Sequence, residues 1–98
     1  MAQFDVYRLP GVGLVLDLQT DLLDLPPRVV APLIPAGEGP RPLTRLEPVI
    51  EIDGRGHVLH TAEMAAVPRH ILKGEPVASG AAEADAIRRA LDMVFSGF

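Results

Sequence analysis

Three histidines are the residues of this chain best suited to metal binding or acid–base chemistry. His57 and His60 lie three positions apart in a segment that is predicted to be a strand. Because side chains alternate between the faces of a strand, this spacing directs the two imidazoles to opposite sides, and we expect no shared metal site. His70 stands alone, which is more typical of a surface or interface residue than of a catalytic one. We interpret none of the three as functional.

Carboxylates and serines offer no clearer catalytic arrangement. The acids considered are Asp17, Asp21, Asp24, Glu51 and Asp53. Their spacing is that of solvated surface acids, so we assign no acid–base pair. Ser79 and Ser96 are the only serines, and neither has the strand–turn–helix context of an activated nucleophile. The sequence therefore predicts no catalytic residue, no metal and no cofactor.

The composition restricts the class of protein further. A chain of 98 residues is expected to form one domain over residues 1–98. The absence of cysteine fits a reducing compartment, and residues 1–9 lack the pattern of a targeting signal, so we predict a cytoplasmic protein without membrane association. A net charge of −4 without a cluster of Lys or Arg argues against direct nucleic-acid binding.

The first half of the chain reads as strands and turns. Residues 3–8 and 12–18 are rich in apolar and β-branched side chains on either side of a Pro-Gly turn, which predicts a hairpin. Residues 28–33 predict a third strand. Residues 35–42 contain three prolines and two glycines and predict an exposed loop.

The second half begins with the clearest hairpin, in which residues 48–52 and 57–61 flank a glycine-rich turn at 53–56. Residues 63–68 favour a helix until Pro68 ends it. A short strand is predicted over residues 70–72, before a Lys-Gly turn.

From about residue 81 the apolar side chains recur with a helical period, which predicts an amphipathic C-terminal helix. The apolar stripe comprises Ala84, Ile87, Leu91, Val94 or Phe95, and Phe98. Short strands followed by one helix predict a mainly β fold, a small twisted sheet or barrel that the helix caps.

Aromatic residues are concentrated at the end of this helix, because two of the chain's four, Phe95 and Phe98, fall within its last four residues. One interpretation is that they dock the helix onto the sheet or across a dimer seam. The other is that they anchor a partner, since aromatic side chains are favoured in interface hot spots.

Five segments together carry a resemblance to a known family. They are residues 3–7 (Gln-Phe-Asp-Val-Tyr), 18–24 (Leu-Gln-Thr-Asp-Leu-Leu-Asp, followed by Pro26 and Pro32-Leu33), 48–50 (Pro-Val-Ile), 61–68 (Thr-Ala-Glu-Met-Ala-Ala-Val-Pro) and 95–98 (Phe-Ser-Gly-Phe). In these segments the chain resembles the CcdB family, toxins of toxin–antitoxin systems that poison bacterial DNA gyrase. The similarity runs nearly end to end.

The resemblance implies a homodimer of SH3-like small barrels of the CcdB/MazF type, each with a C-terminal helix. It implies a non-enzymatic poison that binds the gyrase A subunit and traps gyrase on cleaved DNA. It also implies a CcdA-like antitoxin, whose disordered C-terminal half folds around the toxin. Carried over position by position, the gyrase-binding residues are Thr20, Leu22, Leu23, Asp92, Phe95, Ser96, Gly97 and Phe98.

Two of these positions depart from the family pattern. Ser96 replaces a tryptophan that stacks on a gyrase arginine, a contact worth about 0.5–2 kcal/mol. Asp92 replaces an asparagine, and our hypothesis is that its carboxylate pairs with that arginine and partly compensates. Beside the gyrase poison, the departure at Ser96 raises the alternative of an inactive or retargeted homologue that binds only the antitoxin. A second alternative is an endoribonuclease like the related MazF toxins, which share the barrel, but the net charge of −4 argues against it.

Overall fold

The computed structural model describes residues 2–22, 26–39, 41 and 45–97. Within these ranges the chain forms seven antiparallel strands, of which β3 is the longest and the central one. They are β1 (Asp5–Leu9), β2 (Gly13–Asp17), β3 (Pro27–Pro35), β4 (Val49–Ile52), β5 (Arg55–Leu59), β6 (Ala65–Pro68) and β7 (Ala78–Ser79). One α-helix, α1 (Ala84–Ser96), follows them.

The sheet has the strand order β4-β5-β3-β2-β1-β7, and β6 pairs with the first half of β3. β1 and β5 are separated by two strands in this order, yet Arg8 of β1 and Arg55 of β5 line the same surface hollow. The sheet must therefore curl to bring them together. The result is a small, nearly closed barrel with a C-terminal helix, as predicted.

Apart from Phe4, the barrel interior is aliphatic, because the chain supplies few aromatic side chains to fill it. Its buried residues are Phe4, Val6, Leu16, Leu18, Ala31, Leu33, Ile50, Ile52, Leu59 and Ile87. Ile87 is the contribution of α1 and has no exposed surface. Together with Ala84 and Leu91, which pack against the same cluster, this side chain holds the helix on the barrel.

A second, smaller cluster covers the opposite face of the first hairpin. It contains Tyr7, Leu9, Val15, Val30 and Leu72. Val6 and Tyr7 are neighbours in β1 and belong to different clusters, as expected for side chains that alternate across a strand. Each face of β1 therefore carries at least one buried side chain.

The predicted hairpins, the third strand and the C-terminal helix are confirmed. The helix predicted over residues 63–68 was wrong. A 3₁₀ turn over Thr61–Glu63 precedes β6, whose alanines pair with β3. The strand predicted at 70–72 was also wrong, because Arg69–Ile71 forms a 3₁₀ turn. The short strand β7 was not predicted.

Helix α1 begins later than predicted. A 3₁₀ turn over Ala81–Glu83 precedes it, and Gly80 allows the chain to approach the barrel closely. A Cβ atom at Gly80 would lie 2.6 Å from Cδ1 of the buried Leu16. Among the described residues, no helix is long and apolar enough to cross a membrane.

Candidate target-binding surface

The loop after β2, residues 18–22, is held against β3 by the side chain of Gln19. Its Nε2 donates to the carbonyl of Pro27 at 3.1 Å, and its Oε1 accepts from the backbone N–H of Val29 at 3.1 Å. The backbone N–H of Gln19 donates to Oδ1 of Asp17 at 3.0 Å. These bonds satisfy backbone groups that the loop would otherwise leave unpaired.

A buried ion pair supports the same loop from beneath. Nε and Nη2 of Arg28 donate to Oδ2 of Asp17 at 3.0 and 2.7 Å, and Nη2 also donates to the carbonyl of Gln19 at 3.3 Å. Both side chains are buried, so the prediction of a solvated surface acid at Asp17 was wrong. Asp17 pairs with Val30 in the register, which places Arg28 diagonally opposite on the same face.

The pair also affects a neighbouring phenol. Burial raises the pKa of Tyr7 above its ordinary value of 10.0, and the nearby Asp5 and Asp17 carboxylates raise it further. Tyr7 is therefore a neutral core residue at physiological pH and offers no phenolate for catalysis.

The tip of the loop presents an apolar side chain to solvent. Thr20 Oγ1 accepts from the N–H of Leu22 at 3.2 Å, and Asp21 Oδ1 accepts from the N–H of Gln3 at 2.7 Å. Leu22 is 91% exposed on this hydrogen-bonded turn. Leu23, its predicted companion, lies outside the described residues.

The end of α1 presents the second apolar side chain. Phe95 is 74% exposed, and Asp92 and Ser96 are exposed beside it. Gly97 ends the helix with φ of 81°, and its N–H donates to the carbonyl of Met93 at 3.0 Å. Phe95 therefore does not dock the helix onto its own sheet. Phe98 lies outside the described residues.

Gln3 and Phe4 connect these two segments. Gln3 is bonded to the loop through Asp21, and its Nε2 also donates to the carbonyl of Leu18 at 3.1 Å. The buried ring of Phe4 lies under the guanidinium of Arg88 on α1, 5.4 Å from its centroid. Within the described part of the chain no hydrogen bond or ion pair joins the loop tip to the helix end directly.

Arg88, which contacts the Phe4 ring, lies on the same flank of α1 as Phe95. Arg88, Asp92 and Phe95 follow one another at helical spacings of four and three residues, so they share one flank of α1. We call the half-buried Thr20 and the exposed Leu22, Asp92, Phe95, Ser96 and Gly97 the tip surface. The sequence identified these residues by resemblance, whereas it gave no signal for the supporting roles of Gln3, Gln19, Arg28 and Arg88.

The histidines prove to be mainly buried. His57 Nδ1 lies 3.0 Å from the carbonyl of Arg55, and His60 Nδ1 lies 3.1 Å from Glu47 and 3.4 Å from Glu63. His70 is exposed, as predicted. No group of side chains within the described ranges could hold a metal ion.

The fold and its exposed side chains define a small antiparallel β-barrel with a C-terminal helix and a tip surface that exposes Leu22 and Phe95. A family model described as CcdB protein matches residues 3–97. The chain therefore belongs to the CcdB family of toxin–antitoxin toxins. A comparison with curated proteins finds no match.

The fold is also that of a solved endoribonuclease in complex with its cognate antitoxin from a mycobacterial species. The TM-score is 0.76 at 16% sequence identity, over 97% of this chain and 94% of that chain. At this identity the similarity shows the shared fold.

Proposed function

We propose that this toxin binds the gyrase A subunit through the tip surface and traps gyrase on cleaved DNA, without catalysis of its own. The exposure of Phe95 is the observation that carries the proposal. The phenyl ring is 74% exposed, so it contributes little to the stability of the fold. Burial against a partner would remove its apolar surface from water and favour binding.

The support beneath the tip surface agrees with a binding role. The loop that carries Leu22 is held by the Gln19 and Asp17–Arg28 bonds, and α1 is anchored by Ile87. A surface fixed in advance loses less conformational entropy when it binds. The buried Arg28 and Asp17 satisfy each other, which leaves neither available as a general acid or base.

We further propose that the toxin is a homodimer neutralised by a cognate antitoxin. Support for a dimer comes from an apolar groove of about 850 Å³ beside β6, lined by Pro26, Pro27, Ala66, Val67, Pro68, Arg69 and His70. Support for an antitoxin comes from the related fold of a toxin solved with its own antitoxin.

Ser96 favours a second candidate, a retargeted or inactive homologue that retains antitoxin binding. Serine offers no ring to stack on an arginine, so a gyrase contact here would rest on Phe95 and Asp92. Such a protein would bind its antitoxin and leave gyrase unaffected.

Supercoiling and DNA-cleavage assays with purified gyrase separate these functions. Wild-type toxin should produce gyrase-dependent double-strand breaks, and Phe95→Ala should lose most of this effect. Val12→Ala is the matched control, because Val12 is also exposed but lies at the β1–β2 turn. Absence of breaks with retained antitoxin binding would support the second candidate, and cleavage of purified mRNA without gyrase would support an endoribonuclease.

A further inference from the structure

A basic groove lies on the flank of α1 opposite Phe95. Arg45, Pro48, Ala86, Arg89 and Met93 line it, and its volume is about 460 Å³. With about 3.6 residues per turn, the helical members of this set lie on one flank of α1 and Phe95 lies on the other. Ile87, between them, faces the barrel.

Both arginines of this groove are exposed. In the part of the chain that the structure describes, neither Arg45 nor Arg89 makes an ion pair, and none of the lining residues is acidic. Asp85, one turn before Arg89, instead approaches Arg88 at 3.9 Å. Two unpaired cations thus flank an apolar floor on a protein whose net charge is −4.

The backbone at Arg45 supports a binding role for the groove. Arg45 has φ of 70°, in the left-handed region that residues other than glycine seldom adopt. Such conformations tend to persist where they position a side chain for function. Across the groove, the half-buried Met93 supplies a thioether that adapts its shape to a bound side chain.

We propose that this groove binds an acidic, extended segment of the antitoxin, with carboxylates paired to Arg45 and Arg89 and an apolar side chain against Met93. This inference rests on the proposed antitoxin partnership. The groove suits a peptide better than a nucleic acid, because two arginines give few phosphate contacts and no lining residue is an aromatic that could stack on a base.

The test uses the toxin with its proposed cognate antitoxin. The chain has only three methionines, so methyl-labelled methionine reports on the groove directly through Met93. Met64 packs against the barrel core and serves as an internal control. Antitoxin should shift the Met93 methyl resonance and leave that of Met64 in place.

Affinity gives the second readout. Arg45→Glu combined with Arg89→Glu should weaken antitoxin binding at least about tenfold and reduce its salt dependence, because attraction becomes repulsion. Arg41→Glu combined with Arg55→Glu makes the same charge change outside the groove and should have little effect.

Three outcomes would overturn the proposal. If antitoxin binds but neither shifts the Met93 methyl resonance nor loses affinity for the Arg45→Glu, Arg89→Glu variant, the groove is not the antitoxin site. The proposed toxin–antitoxin function would still stand. If antitoxin does not bind wild-type toxin, the proposed partnership fails and the groove assignment fails with it. If a single-stranded RNA oligonucleotide shifts Met93 and antitoxin does not, the groove is a nucleic-acid site.

Discussion

Arg28 donates two hydrogen bonds to one carboxylate oxygen of Asp17, and both side chains are buried between β2 and β3. The same guanidinium reaches the carbonyl of Gln19, where the Leu22 loop begins. The buried Asp17–Arg28 pair thus helps to hold the loop that carries Leu22. Loss of the pair should therefore lower both the stability of the fold and the affinity for the target.

Asp17→Asn should destabilise the protein by about 3–5 kcal/mol, because it leaves the buried Arg28 cation without its counter-charge. Urea denaturation measures the change. Glu38→Gln breaks the exposed pair with Arg55 and should cost less than about 1 kcal/mol. Equal costs for the two variants would contradict the structural role assigned to the buried pair.

Ionisation of the buried Tyr7 phenol should lower the stability of the protein at alkaline pH. Its pKa is raised above 10.0 by burial and by Asp5 and Asp17, so the folded state holds the proton more tightly than the unfolded state. Its stabilising contribution is therefore complete below pH 10.0 and is lost as pH rises through the folded-state pKa. The single tyrosine and the absence of tryptophan make near-ultraviolet absorbance a direct measure of this titration.

Tyr7→Phe provides the comparison for that titration. This variant has no phenol to ionise, so it should not show the loss of stability at alkaline pH that Tyr7 causes. The remaining groups should titrate as before. A tyrosinate midpoint at or below 10.0 in the folded protein would contradict the predicted direction.

Substitutions at two positions of α1 should separate stability from binding. Ile87→Ala removes a fully buried side chain and should cost about 2–5 kcal/mol of unfolding free energy. Phe95→Ala removes a mostly exposed one and should change it by less than about 0.5 kcal/mol. A large loss of stability at Phe95 would show that the ring supports the fold.

Ser96→Trp should strengthen binding to the gyrase A subunit by about 0.5–2 kcal/mol, because an indole at this position can stack on an arginine. Isothermal titration calorimetry with a purified gyrase A fragment measures the gain. Val12→Trp adds the same ring at an exposed position outside the tip surface and should give no gain. Equal effects would indicate non-specific apolar attraction.

The elements that could be predicted from the sequence were those determined by local patterns of residues. Glycine turns marked the two hairpins, and helical spacing marked α1, since both depend on neighbouring residues. Ala65 and Ala66 favour a helix locally, but their pairing with β3 decides their structure. That pairing joins residues more than thirty positions apart and leaves no local signal.

The same reason explains the misassigned polar residue. Asp17 looks like a surface acid in sequence, and only the barrel register places it against Arg28. The tip surface was identified through family resemblance, and the structure added the exposure of Leu22 and Phe95. Leu23 and Phe98 remain predictions, since they lie outside the described residues.

The affinity of purified toxin for the gyrase A subunit, compared with that of Phe95→Ala, tests the central claim most directly. The wild type should bind, and the variant should lose at least about 2 kcal/mol of binding free energy while keeping its stability, as expected for a central hot spot. Equal affinities for the two proteins, or no binding by the wild type, would contradict the claim that the tip surface is a gyrase-binding site.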